Sequence, residues 1–356
     1  CITSALAAGH KVTIFNRGRL EDRRKNAGRP SAVPDGVEVL YGNRDPDKTA
    51  DSDDDAKAGD TPLPDSPKGL TQLEGRKFDA VIDTSGYWPR MVKASAGLLA
   101  PNVGHYVFIS TISVYKSNDK PGADESAELA TLADPTIESF GAQFENYGGG
   151  KALCEQAAEA AMPGRVTVLR PGFIVGPRDG SKRFVHWPVR AARGGEFIVP
   201  GKPEDPIQVV DVRDLADFSL RCIEQKTMGT FDITGPAGGM PMRTFVEGII
   251  AGTRDPAPPA PAVPVFIDAD FLEAQGVSPQ SFPLWIPPVG ESAGFHNRTI
   301  AKAIKAGLKF RPLDDTARTT LAWYRSLPEE TQKNMIPPGV PAEKEQEVIA
   351  AWKAKK

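Results

Sequence analysis

Short, nearly continuous apolar runs recur through the first half of the chain. Lys11–Asn16 (KVTIFN), Val37–Tyr41, Asp79–Asp83, His105–Ser110 and Val166–Gly172 each have strand length and strand composition. Between them, Met91–Ala100 and Lys151–Met162 carry apolar residues at helical spacing. Near-continuous apolar strands separated by helices predict a parallel sheet covered on both faces, an α/β fold of the doubly wound type. Cys1–Gly9 reads as the back end of a helix closed at Gly9. Past Pro177 the pattern changes. Phe184–Arg193 is predicted as a helix, Pro206–Val212 as a strand running into the helix Asp214–Gln225, Gly229–Gly235 as a strand and turn, and Met242–Gly252 as a helix. Asp255–Pro264 is Pro-rich and predicts a rigid connector without regular structure. Asp268–Gly276, Asn297–Gly307, Asp314–Leu327 and the polar tail Pro341–Lys356 read as helices.

Composition removes several function classes. A net charge of −3 with 25% charged residues shows no basic excess, so nucleic acid is not an expected partner. No apolar run approaches the length that spans a bilayer, so no membrane is expected. Cys1, Cys154 and Cys222 are scattered, and His10, His105, His186 and His296 are isolated. No disulfide framework, metal site or histidine-based triad is expected. The Asp-rich stretch 51–55 lacks the glycine and terminal glutamate of a calcium loop and reads as part of a solvated insertion between Asp45 and Lys77. The chain opens in mid-helix without a Met, which reads as a truncated start. A cytoplasmic location is expected, with an export signal ahead of residue 1 left open.

The most informative stretch is Tyr147-Gly148-Gly149-Gly150-Lys151. It opens a helix and follows a strand that ends in the hydroxyl cluster Ser110-Thr111-Ile112-Ser113. Tyr and Lys four residues apart share one helix face. Because an ammonium favours a nearby phenolate, Lys151 is expected to draw the Tyr147 pKa down toward working pH. A hydroxyl, a tyrosine and a lysine in this order suit acid–base chemistry on a carbinol or carbonyl. Three consecutive glycines after Tyr147 are unexpected, since each weakens the helix start.

Together with Lys11–Gly18, Arg170-Pro171-Gly172 and Val210-Asp211-Val212-Arg213-Asp214-Leu215-Ala216, this stretch resembles the extended or atypical branch of the short-chain dehydrogenase/reductases, the NAD-dependent epimerase/dehydratase group. The likeness runs from about residue 3 to residue 255 and is weak in the C-terminal third. It implies a Rossmann-like NAD(P)-binding domain over residues 1–178, rejoined by 206–235, and a mostly substrate-covering region over 179–356. It also implies that the family's glycine-rich turn and first strand lie ahead of residue 1.

By the same resemblance Tyr147 is the general acid/base, Lys151 holds the nicotinamide ribose, and Thr111 hydrogen-bonds the reacting oxygen. Asn16, Arg17, Asn43, Ser85, Gly86, Lys151, Pro171 and Gly172 are the expected cofactor contacts. The run Asn16-Arg17-Gly18-Arg19 stands where an acidic residue would hold the adenosine ribose of NAD. A guanidinium suits a 2′-phosphate and favours NADP over NAD, unless Arg17 and Arg19 are only solvated loop charges. Ile112-Ser113 replace the Asp-Glu pair of family 4,6-dehydratases, which argues against dehydration by that route. Phe173 and Ile207 stand where family epimerases place groups that hold a sugar diphosphate; Arg178, Lys182, Arg183 and Arg190 are the available substitutes. Tyr87, Ser113, Phe173 and Arg178 are the expected substrate contacts. Tyr87, Trp88, Phe173, Phe184 and Trp187 line an aromatic pocket or pack a core. The expected function is an NAD(P)-dependent oxidoreductase or epimerase acting on a secondary alcohol or ketone, sugar-like or otherwise. The alternatives are a non-catalytic Rossmann protein that senses NAD(P) or binds RNA, and a decayed relative. The resemblance also allows a homodimer through helices such as Met91–Ala100 and Lys151–Met162.

Overall fold

The computed structural model describes residues 1–18, 21, 31–46, 69–335 and 339–355. Arg19 and the Asp-rich stretch 51–55 lie outside them. The chain forms two compact units: Cys1–Val114 with Leu129–Leu169 and Ala216–Thr230, and Tyr115–Glu128 with Arg170–Leu215 and Phe231–Lys356.

The first unit is built on parallel strands. β1 (Thr13–Asn16) pairs in parallel with β2 (Glu38–Tyr41). β3 (Phe78–Asp83), β4 (Val103–Ile109) and β5 (Val166–Pro171) continue the chain order, and β3 and β5 flank β4 in parallel. A strand at Gly229–Ile233 completes this sheet beyond β5; it and β5 both run on from the first unit into the second. One continuous sheet is expected from the sequence, whereas β1–β2 and the sheet containing β3–β5 are separate among the described residues.

Helices follow from spacing. Pro89 opens the helix Pro89–Leu99, and Val92, Ala96 and Leu99 put one apolar face on the core. That face meets Cys154 and Ala158 of the helix Tyr147–Ala161, over Tyr106, Phe108, Val166 and Val168 of the sheet. Gly9, with φ +85°, follows the helix Ile2–Ala7 at the expected stop.

The second unit has its own core, with Phe184, Trp187, Phe197, Ile207, Met242, Phe245 and Ile249 at its centre. Phe184 and Trp187 are therefore core residues, 0% and 2% exposed, and not a pocket lining. The connector expected over Asp255–Pro264 is also corrected. Ala262–Ile267 is a strand, parallel to Gly195–Pro200 in a two-stranded sheet. Pro264 is tolerated because each strand of a pair keeps an open edge, where a missing N–H breaks no ladder bond. The helices at Met242–Gly252, Leu313–Arg325 and Ala342–Lys355 fall where predicted. Phe173–Val175 pairs in parallel with Val209–Asp211, ahead of the helix Val212–Glu224.

Candidate active site

In a parallel sheet the carboxyl ends of the strands point the same way, and loops leaving that edge build sites. Thr111 follows β4 directly, and a short turn, Ile112–Val114, leads on from it. The helix Tyr147–Ala161 starts against this turn. A Cβ on Gly148 would land on the Ser113 carbonyl oxygen, and one on Gly149 would lie 2.8 Å from Leu132 Cδ2. A Cβ on Gly150 would meet nothing within 4 Å. Two of the three glycines are thus required by close approach, and the structure gives no reason for the third. Close approach brings Tyr147 into the electrostatic reach of Thr111, as the sequence implied.

Lys151 is 3% exposed, one turn after Tyr147. Its Nζ donates to the carbonyl oxygens of Gly86 and Ile109, both at 2.8 Å, and lies 4.1 Å from the centroid of Phe108. Burial lowers its pKa from 10.5 to about 8, with Asp83 and Glu155 among the charges that oppose the shift. Tyr147 behaves differently from the expectation. Burial raises its pKa, Tyr87 adds to the rise, and the Thr111 hydroxyl opposes it. The Lys151 ammonium is aimed at backbone carbonyls instead of the phenol. Tyr147 is therefore a protonated phenol at neutral pH.

Glu155 escaped the sequence reading, and Ser110 entered it only as part of the hydroxyl cluster at the strand end. The Ser110 hydroxyl donates to Glu155 Oε1 at 2.5 Å, both residues buried. The signal was available, since Tyr147, Lys151 and Glu155 succeed each other at four-residue steps and share one helix face. Arg44 was also missed. It forms a bidentate pair with Asp83 at 2.6 and 2.8 Å and donates to Ser85 (3.0 Å) and Ser95 (2.6 Å), while the Tyr106 hydroxyl donates to Asp83 at 2.7 Å. Arg44 lies just past β2 and Asp83 ends β3, so this network ties the carboxyl ends of the two parallel sheets together.

The residues expected around a dinucleotide gather at that edge in part. Asn16 ends β1 and Arg17 follows it, both exposed; Asn16 Oδ1 accepts from Gly18 N at 2.7 Å. Asn43 follows β2 and accepts from Asp45 N through its side chain. Ser85 and Gly86 follow β3, and Gly86 is pressed against the Phe108 ring. Amides, a buried ammonium and the Arg44 guanidinium, whose Nε is buried without a partner, form a donor set suited to ribose and phosphate oxygens. The residues present fit the group. Of the expected substrate contacts, Tyr87 and Ser113 lie in this unit and are exposed.

Pro171, Gly172, Phe173 and Arg178 belong to the second unit. Gly172 N donates to Ile233 O at 3.2 Å, Phe173 lies under the Arg183 guanidinium at 4.6 Å, and Arg178 is exposed with φ +69°. A buried cluster there joins Arg298, Asp232, Tyr115 and Arg170. The carboxylates of the Val210–Ala216 motif are structural: Asp211 accepts from Arg213 and Thr316, and Asp214 from Arg311. A cavity of about 520 Å³ is lined by Asp211, Asp214, Glu247 and Arg311 among others. Among the described residues, no three His, Cys, Asp or Glu side chains are grouped to hold a metal, and no helix is long and apolar enough to cross a membrane.

Comparison with known proteins places this geometry. Residues 90–233 match the NAD dependent epimerase/dehydratase family. No curated protein matches the chain. Among solved structures it is similar to the Bordetella bronchiseptica enzyme WbmH in complex with NAD+ (16% identity, 91% of this chain and 94% of that one covered, TM-score 0.55). It is also similar to UDP-N-acetylglucosamine 4-epimerase from Methanobrevibacter ruminantium M1 (15%, 91% and 94%, TM-score 0.54) and to UDP-glucuronic acid 4-epimerase from Bacillus cereus in complex with NAD (13%, 90% and 93%, TM-score 0.53). At these identities the likeness is one of fold. The family match over residues 90–233 spans the stretch that carries Thr111, Tyr147 and Lys151.

Proposed function

We propose that the protein is an NAD(P)-dependent oxidoreductase or epimerase of the short-chain dehydrogenase type, acting on a secondary alcohol or ketone with Tyr147 as general acid/base. One observation carries this reading: Tyr147 and the buried Lys151 stand on one helix face, with the Thr111 hydroxyl acting on the Tyr147 phenol. The family match over residues 90–233 and NAD-bound neighbours of the same fold support the cofactor class.

The nicotinamide ring, when bound, supplies or accepts the hydride. The chain's own part is to position the reactants and move a proton. Thr111 would hydrogen-bond the reacting oxygen, and Tyr147 Oη would donate a proton to it as a ketone is reduced, or take one as an alcohol is oxidised. A neutral phenol is ready for the donating direction. Lys151 would hold the nicotinamide ribose, and Asn16, Arg17, Asn43, Ser85 and Gly86 would hold the rest of the dinucleotide.

The test titrates NADH and NADPH into the wild type and Tyr147→Phe, then measures turnover on a panel of alcohols and ketones. The expected variant binds nucleotide with unchanged Kd, keeps its Tm and loses about 10²- to 10⁴-fold in kcat. Turnover equal to wild type would remove Tyr147 from the chemistry. Absence of nucleotide binding would end the oxidoreductase reading.

A further inference from the structure

Five aromatic rings surround the Tyr147 site in the first unit, two of them from a loop in which the sequence shows no pattern. Phe140 is their hub. It stacks on Trp88 (centroids 4.8 Å apart, interplanar angle 26°) and on Phe144 (5.6 Å, 14°), and presents edges to Tyr147 (5.5 Å, 84°) and Tyr87 (5.9 Å, 69°). Such geometries hold rings firmly relative to one another. The wall is not closed over: Phe144 is 66% exposed and Tyr87 45%.

The turn that presents Phe144 is built for it. Phe144 has φ +62°, a conformation that a bulky side chain rarely adopts. It is held by Phe144 N donating to Gly141 O (3.3 Å), Asn146 N to Phe140 O (3.0 Å) and Tyr147 N to Phe144 O (3.1 Å). The Glu145 carboxylate accepts from Gln143 N at 2.9 Å, and Gly141 opens the turn with φ +79°, a conformation that favours glycine. Glu138, two residues before Phe140, is clamped by Arg90 at 2.5 and 2.9 Å. A strained backbone that holds an aromatic ring in solvent, beside a candidate proton donor, marks a binding surface.

The charges near the wall say what kind of ligand suits it. Along the chain, the cations within four residues of these rings are Arg90 and Lys151, whose Nζ lies 5.8 Å from the Tyr87 centroid. Arg90 is engaged by Asp45 and Glu138, and Lys151 by two carbonyl oxygens. The carboxylates in the same range are Asp83, paired with Arg44, Glu138, paired with Arg90, and Glu145, so these stretches add no net positive charge for an anionic diphosphate.

Resting on the Tyr147 reading above, we propose that the substrate of this site carries an uncharged, flat aryl ring next to its carbinol or carbonyl carbon, and that Phe144, Phe140 and Tyr87 form the surface on which that ring lies. The alternative class, a nucleotide sugar, would need cations that this wall does not offer.

The experiment uses the full chain with its preferred nicotinamide nucleotide and three probe types: acetophenone and 2-acetylnaphthalene, the ring-free ketone 2-butanone, and UDP-glucose. The expected kcat/KM rises at least tenfold from 2-butanone to acetophenone and again toward the larger ring. In Phe144→Ala the aryl-to-aliphatic ratio should fall at least tenfold through KM, and Phe144→Tyr should restore it. Turnover of UDP-glucose with no dependence on aryl rings would overturn this substrate class and leave the oxidoreductase reading standing. Nucleotide binding without any ring dependence in rate or affinity would also overturn it. Failure to bind either nucleotide would instead strike the reading on which it rests.

Discussion

Each unit buries a cation, and Arg298 of the second unit and Lys151 of the first are held in opposite ways. In the second unit Arg298 is 0% exposed, donates to Asp232 at 2.7 Å and to Asp124 O at 2.8 Å, and lies 3.6 Å over the Tyr115 ring. Asp232 also accepts from the Tyr115 hydroxyl at 2.6 Å, and Arg170 donates to that same oxygen. Charge meets charge: burial pushes the Asp232 carboxyl up, and Arg298 and the Tyr115 hydroxyl oppose that rise. In the first unit Lys151 is as deeply buried, yet among the described residues no carboxylate pairs with it; two carbonyl dipoles and an aromatic face hold it instead. A buried charge held by dipoles keeps a pKa close to working pH, whereas one locked to a counter-charge does not. The first arrangement suits a group that takes part in proton chemistry, and the second suits a scaffold.

The largest effect should come from breaking the locked pair. Arg298→Leu leaves the Asp232 carboxylate buried with only the Tyr115 hydroxyl, and removing one partner of a buried pair costs about 3–5 kcal/mol. Urea unfolding measures it directly. Arg298→Leu with Asp232→Leu should recover part of the loss, since the stranded charge is gone. A loss below about 1 kcal/mol in the single variant would show a solvated pair and erase the contrast.

Lys151 gives the next effect, in pH dependence. Its pKa falls from 10.5 in the unfolded chain to about 8 in the folded one. Between these values the unfolded state holds more protons, so the Lys151 contribution makes stability rise with pH through this window. The rise totals up to about 3 kcal/mol. Below about pH 8 both states are protonated and the burial penalty is constant. The difference between wild type and Lys151→Met, followed by denaturant unfolding from pH 7 to 11, isolates this slope from other titrating groups. A flat difference would mean that Lys151 stays charged throughout.

The sequence made the first unit's frame legible because strands and helices there alternate with clean periods, and Tyr147 and Lys151 announce a shared face by spacing alone. Glu155 was readable by the same spacing. What stayed hidden depends on contacts remote in sequence. Arg44 reaches Asp83 across 39 positions, and Phe140 meets Trp88 only because the loop folds back. The strand Ala262–Ile267 was masked by its prolines, which an open edge tolerates. The direction of the Tyr147 shift was misjudged because spacing places Lys151 near the phenol but does not say where its ammonium points.

The glycines Gly148 and Gly150 reduce the same lesson to two positions, two residues apart, of equal intrinsic helix propensity. At Gly148 an added methyl group meets the Ser113 carbonyl oxygen, two residues beyond Thr111. Since that oxygen is backbone, either the helix start or the Thr111 turn must move, and Gly148→Ala should lose about 1–3 kcal/mol together with activity. At Gly150 there is open space, so the intrinsic preference for alanine in a helix should prevail. Gly150→Ala should gain about 0.5–1 kcal/mol, read as a small rise in Tm, with kcat unchanged. A gain at both positions would mean that the helix start tolerates displacement, and that the distance from Thr111 to Tyr147 is not what the first glycine protects. A loss at Gly148 alone ties that glycine to the chemistry and leaves Gly150 as a position where stability can be raised without disturbing the site.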